Sequence, residues 1–127
     1  MKITTMTAAG VAAALLLPFS GAAPAAASGT ATQHGHTIQV EGHGLYVGSV
    51  TARSAPSHRP WSYARLVLEQ RGGRVTPVRT WTPADHNGFS PETDVTTWHL
   101  GRSYPDGSRL CVEWRHRSGR ACMIIHR

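Results

Sequence analysis

Arginine and cysteine are the two residue types in this sequence whose placement could do chemistry, and both concentrate near its C-terminus. Between Arg102 and Arg127 lie six arginines, opposed only by Asp106 and Glu113. A guanidinium is a planar fork of donors that fits carboxylate and phosphate groups two bonds at a time. A cluster of them points to an anionic ligand, and Arg109, Arg115, Arg117 and Arg120 are the expected polyanion-binding residues. The plainer reading is a solvated face that keeps a basic protein soluble.

Cys111 and Cys122 are the only cysteines. They lack Cys-x-x-Cys spacing, so a structural disulfide is expected rather than a redox centre. With a turn at Arg115 to Gly119, an antiparallel hairpin sets Cys111 opposite Cys122, Glu113 opposite Arg120 and Trp114 opposite Gly119. One register thus satisfies a disulfide, an opposite-charge pair and a glycine beside the turn. It also sorts the faces. Leu110, Val112, Trp114, Ala121, Met123 and Ile125 fall on the core side, and the cysteines and arginines on the outer side.

Catalytic patterns are thin. Asp85, His86, Ser90 and His99 are near in sequence, but neither Gly-x-Ser-x-Gly nor His-Glu-x-x-His occurs. Glu92 and Asp94 beside Pro91 read as turn residues. No enzymatic activity and no cofactor are expected. His34, His36 and His43 lack the spacing of a structural metal site and read as solvated side chains. Trp98 and Trp114 read as core. Trp61, Tyr63 and Trp81, if exposed together, would form a flat platform for a sugar ring; otherwise they cap the ends of the core.

These residues need a scaffold, and the sequence describes one. Met1-Lys2, an apolar run from Ala8 to Phe19 and the small residues around Ala25 to Ala27 follow the order of a secretory signal peptide, expected at 1–27. The run is shorter than the roughly 20 residues that cross a bilayer. Cleavage after Ala27 would leave 12 arginines, no lysine and 7 acidic residues. An exported chain can keep a disulfide. Residues 28–36 are small and polar and read as a flexible leader.

From Thr37 onward apolar residues alternate with polar ones in short runs, and no stretch holds a 3.6-residue period. With 40% hydrophobic and 16% charged residues, the composition suits a globular domain rather than a disordered chain. The chain of 127 residues is too short for a dinucleotide-binding dehydrogenase or a (β/α) barrel. Gly48 interrupts one alternation and shifts its phase, the mark of a β-bulge. Pro77 places its strand at an edge. The expected fold is all-β: an antiparallel β-sandwich of about seven short strands over 37–127, immunoglobulin-like in size, with one disulfide-stapled C-terminal hairpin. A small closed barrel is the alternative.

The signal peptide, the run from Tyr104 to Trp114 (YPDGSRLCVEW) and the closing Gly119-Arg-Ala-Cys122 resemble small uncharacterised secreted proteins of actinobacteria. The resemblance implies secretion and implies no catalytic residues. The expected function is therefore a non-catalytic binding module outside the cell. Its partner would be an anionic cell-wall polymer or another extracellular polyanion, such as anionic lipid head groups or DNA. Alternatively, it would be an inhibitor of an extracellular protein acting through the hairpin tip His116-Arg117-Ser118, or a structural envelope component.

Overall fold

The computed structural model describes residues 28–55, 62–87, 93–115 and 117–127. Among these residues nine strands run in chain order: β1 Gly29–Gln33, β2 His36–His43, β3 Tyr46–Ser54, β4 Tyr63–Glu69, β5 Val75–Pro83, β6 Asp85–Asn87, β7 Thr93–Ser103, β8 Arg109–Trp114 and β9 Arg120–Ile124. They form two antiparallel sheets, one ordered β1-β2-β3-β7-β6 and the other β5-β4-β8-β9.

The alternation read from the sequence decides which face is buried. On the first sheet Ile38, Val40, Val47, Val50, Ala52 and Trp98 point inward. On the second, Ala64, Leu66, Leu68, Leu110, Val112, Trp114 and Ala121 meet them. Gly48 has no partner on either side: pairing steps from Ser49 to Val47 against β2, and the register with β7 shifts at the same place. This bulge keeps Val47 and Val50 both in the core although they are an odd number of residues apart. Gly42 sits opposite the bulge, where a Cβ would lie 2.0 Å from the Tyr46 carbonyl oxygen, so only glycine fits.

Two strands were not visible as alternation. Residues 29–33, read as part of a flexible leader, form β1 and pair along their whole length with β2. Thr and Gln suit an edge strand whose faces need little apolar surface. The His34-Gly35 turn joins β1 to β2 with both residues at positive φ, 57° and 77°, as a two-residue primed turn requires. The short β6 lies in the long connection after Pro83 and pairs with β7. Both sides of the sandwich are bridged by side chains. The Gln33 side-chain oxygen accepts the Cys122 backbone N–H at 3.0 Å, and Arg79 Nη2 donates to the His99 carbonyl at 3.2 Å.

The C-terminal hairpin has the expected register, from Arg109 opposite Ile124 through Cys111 opposite Cys122 to Glu113 opposite Arg120. The disulfide is formed, with Cα atoms 4.0 Å apart. Cys111 is on the outer face yet fully buried, because Val67 of β4 flanks it on one side and Cys122 on the other.

Candidate functional site

The outer face of the β5-β4-β8-β9 sheet is built in rows set by the strand register. One row carries Arg65, Glu113 and Arg120. The next carries Val67, Cys111 and Cys122, and the third Glu69, Arg109 and Ile124. The charged rows thus flank the disulfide row, and their side chains interlock. Arg109 Nε donates to Glu69 Oε1 at 2.6 Å, and its Nη2 reaches the same oxygen. Arg120 donates to Glu69 Oε2 at 2.9 Å and to Glu113 Oε2 at 3.4 Å. Arg65 Nε closes the chain on Glu113 Oε1 at 2.7 Å. The hydrogen bond from Arg109, reinforced by the charges of Arg109 and Arg120, holds the Glu69 carboxyl below the usual carboxylate range.

The four expected anion-binding arginines are therefore not equivalent. Arg109 and Arg120 lie on the outer face as the register required, but their guanidiniums are engaged by Glu69 and Glu113. Glu69 is 40 residues from Arg109 in the chain, so sequence proximity gave no sign of the pairing. Arg115, just past the end of β8, behaves differently. Its guanidinium stands over the Tyr63 ring at 4.6 Å and over the Trp81 ring at 5.1 Å, and no carboxylate pairs with it among the described residues. The Arg65 guanidinium also lies over Trp81, at 4.6 Å. Two aromatic rings pin Arg115 without neutralising it.

Next to this cluster a cleft of about 300 Å³ opens at the hairpin end, lined by Trp81, Glu113, Trp114, Arg117, Gly119 and Arg120. The Trp114 side chain is core, as expected, and its buried indole N–H has no acceptor among the described residues. Gly119 has φ +82°, and a Cβ there would run into the His34 ring at 2.6 Å. The β8–β9 turn is thereby packed against the His34-Gly35 turn of the opposite sheet.

His36 fastens this junction. The sequence reading made it a solvated histidine, but it is 1% exposed. A carbonyl can only accept, so Nε2–H donates to the Ser118 carbonyl at 3.1 Å, and Nδ1 accepts from the Ser54 hydroxyl at 2.9 Å. Burial holds its pKa below the usual value; the Ser118 carbonyl opposes that shift, and the charges of Arg117 and His34 add to it. Alternation from Thr37 hid the buried role, because His36 continues the inward phase of Ile38 and Val40 by one more step.

The remaining expected sites scatter. Tyr63 and Trp81 come together around Arg115, while Trp61 lies outside the described residues. Ser90, Glu92 and His116 lie outside them too. His86 pairs with Asp94 at 3.2 Å. His99 is on the other face of β7 from Asp94, so His86 and His99 do not converge. No group of three or more His, Cys, Asp or Glu side chains is arranged to hold a metal ion among the described residues.

Comparison with known proteins finds no match: no family model, no curated protein and no solved structure is similar to this chain.

Proposed function

We propose that this protein is a secreted, non-catalytic module that binds an anionic polymer at the cell envelope or outside the cell. In this reading the contact lies at the hairpin end, around Arg115 and Arg117, rather than along the whole outer face of the hairpin. The observation that carries it is the state of Arg115. An exposed guanidinium held over Tyr63 and Trp81, with no acid partner among the described residues, has lost much of its side-chain freedom before any ligand arrives. That lowers the ordering cost of binding an anion. Arg109, by contrast, would have to give up Glu69 to bind anything. A disulfide accords with an oxidising compartment, and with a signal peptide at 1–27 the protein would be exported, in keeping with its resemblance to small secreted actinobacterial proteins.

Insertion of the hairpin tip into a protein cleft draws less support. Among its described residues Ser118 is bonded to His36, and the adjoining Gly119 lies against His34.

Co-sedimentation of the oxidised chain, residues 28–127, with cell-wall sacculi that carry or lack their anionic polymer tests the reading. Retention should need the polymer, fall steeply with salt, and drop about fivefold in Arg115→Ala while Arg109→Ala binds as the parent does. Equal retention on stripped walls, or an Arg115→Ala variant indistinguishable from the parent, would overturn it.

A further inference from the structure

The sheet edges β1, β6, β5 and β9 are not equally guarded, and we infer that β1 pairs with β1 of a second copy of this chain to form a two-fold dimer.

Hydrogen bonding is the first argument. The two-residue turn at His34-Gly35 makes Gln33 and His36 a hydrogen-bonded pair. Pairs alternate along an antiparallel ladder, so Ala31 and Gly29 also bond to β2, while Thr30 and Thr32 turn their N–H and C=O groups away from it. The 3.0 Å contact between the Thr32 and Thr37 hydroxyls fits the close side-chain spacing of a non-bonded pair. Neither threonine's backbone has a partner among the described residues, and both residues are exposed. Each copy thus offers two donors and two acceptors along one line.

The other edges are blunted. Pro77 removes a donor from β5. On β9 the Cys122 N–H is already capped by Gln33. Strand β6 is three residues long and carries Asp85 and His86. Strand β1 has no charged residue, no proline and no bulge in its pairing with β2.

Symmetry and charge select the occupant. With Ala31 opposite Ala31 on the two-fold axis, Thr30 of each copy faces Thr32 of the other, and four backbone hydrogen bonds use every free group. The threonine side chains then meet across strands, as Thr32 and Thr37 do within the hairpin. The chain is basic, so two copies repel wherever their arginines meet, and a neutral edge is where they approach at least cost. An acidic partner would find no counter-charge on β1. Strand β9 runs beside β1 on the same side of the sandwich, where a Cβ on Gly29 would lie 3.3 Å from Met123 Cε. It carries Ile124, 53% exposed, which adds apolar surface next to the pairing edge.

The test is sedimentation velocity of the oxidised chain, residues 28–127, from about 0.01 to 1 mM, with ¹H–¹⁵N spectra over the same range. A five-residue strand makes a small interface, so the dimer should form with a Kd of about 0.1 mM. The Thr30 and Thr32 amide resonances should shift with concentration and gain protection from exchange. Thr32→Pro removes an outward donor without touching the bonds to β2, and should weaken association at least about tenfold. Thr30→Lys and Thr32→Glu test the register independently of that variant's folding. Mixed one to one they should associate about fivefold more tightly than either alone, because the opposite charges face one another in this register. A chain that stays monomeric at about 1 mM, a dimer in which those two amides do not move, a folded Thr32→Pro variant with parental association, or a mixture no tighter than its components would each overturn the inference.

Discussion

Arg120 and Glu69, 51 residues apart in the chain, are joined by a 2.9 Å hydrogen bond whose ends lie in rows on opposite sides of the disulfide. Arg120 also reaches Glu113, so one guanidinium ties β9 to both β4 and β8 above the Cys111–Cys122 bridge. The chain Arg109–Glu69–Arg120–Glu113–Arg65 holds three positive charges and two negative ones. A face that reads as strongly basic in sequence is close to balanced in the fold.

Removing an acid from this chain should therefore expose cationic charge rather than merely weaken the fold. Glu69→Gln releases Arg109 and loosens Arg120. Its retention on an immobilised anionic polymer at about 0.1 M salt should rise about fivefold, with a steeper dependence on salt. The same pairing fixes its acid response: the carboxyl titrates below its usual range when folded, so the stability it contributes is present above the unfolded-state pKa and is lost as pH falls through the lower folded-state value. Salt-gradient elution of parent and variant checks the first point, and acid unfolding curves of the two check the second.

Reduction of the disulfide should cost about 3 kcal/mol, from the entropy of a short closed loop. The backbone register does not depend on the bridge alone, since Val67, Leu66 and Leu68 pair with β8 on its other side. The reduced protein should stay folded at neutral pH with a lower urea midpoint and a slightly larger m-value, because the unfolded chain freed of the bridge is less compact. A reduced protein whose midpoint equals that of the oxidised form would show that the bridge adds nothing.

Acidification should loosen the junction between the two turns. His36 is held neutral in the fold, mainly by burial, so its folded pKa lies below the unfolded value of about 6.5. The unfolded chain then binds the extra proton first. Stability is complete above about pH 6.5 and declines as pH falls through and below it, levelling off under the folded pKa. His36→Gln keeps a donor and an acceptor at this position, and its Tm should vary less between pH 7 and pH 5 than that of the parent. Identical pH profiles would remove His36 as the cause.

Glycine is required at Gly42 for reasons of space. Gly42→Ala would place a Cβ against the backbone oxygen of Tyr46, which no rotamer can relieve, and should cost about 2 kcal/mol or more in urea unfolding. Gly35 has φ +77° with open space around it, and asparagine tolerates that region. Gly35→Asn should stay within about 1 kcal/mol of the parent.

Local pattern carried much of the fold. Alternation from Ile38 to Ile125 named the inward residues, the phase change marked Gly48 as a bulge, and Pro77 pointed to an edge strand. The hairpin register followed from three constraints within 12 residues of sequence, and the disulfide formed as they required. Each of these signals is short-range, because a β-strand's side-chain period and a hairpin's register are set by neighbours along the chain. Strand β1 escaped notice because its small polar residues gain order by pairing with β2, not from a face of their own. The roles of the arginines were decided only when strand order brought Glu69 beside Arg109, and Tyr63 and Trp81 beneath Arg115. Likewise the Ser118 carbonyl became the partner of His36 only when the second sheet's hairpin packed against β2. Charge and hydrogen-bond partners reach across strands that are distant in sequence, so the chain by itself determined which side chains face out. The tertiary structure decided which of them carry a neighbouring counter-charge and which face solvent without one.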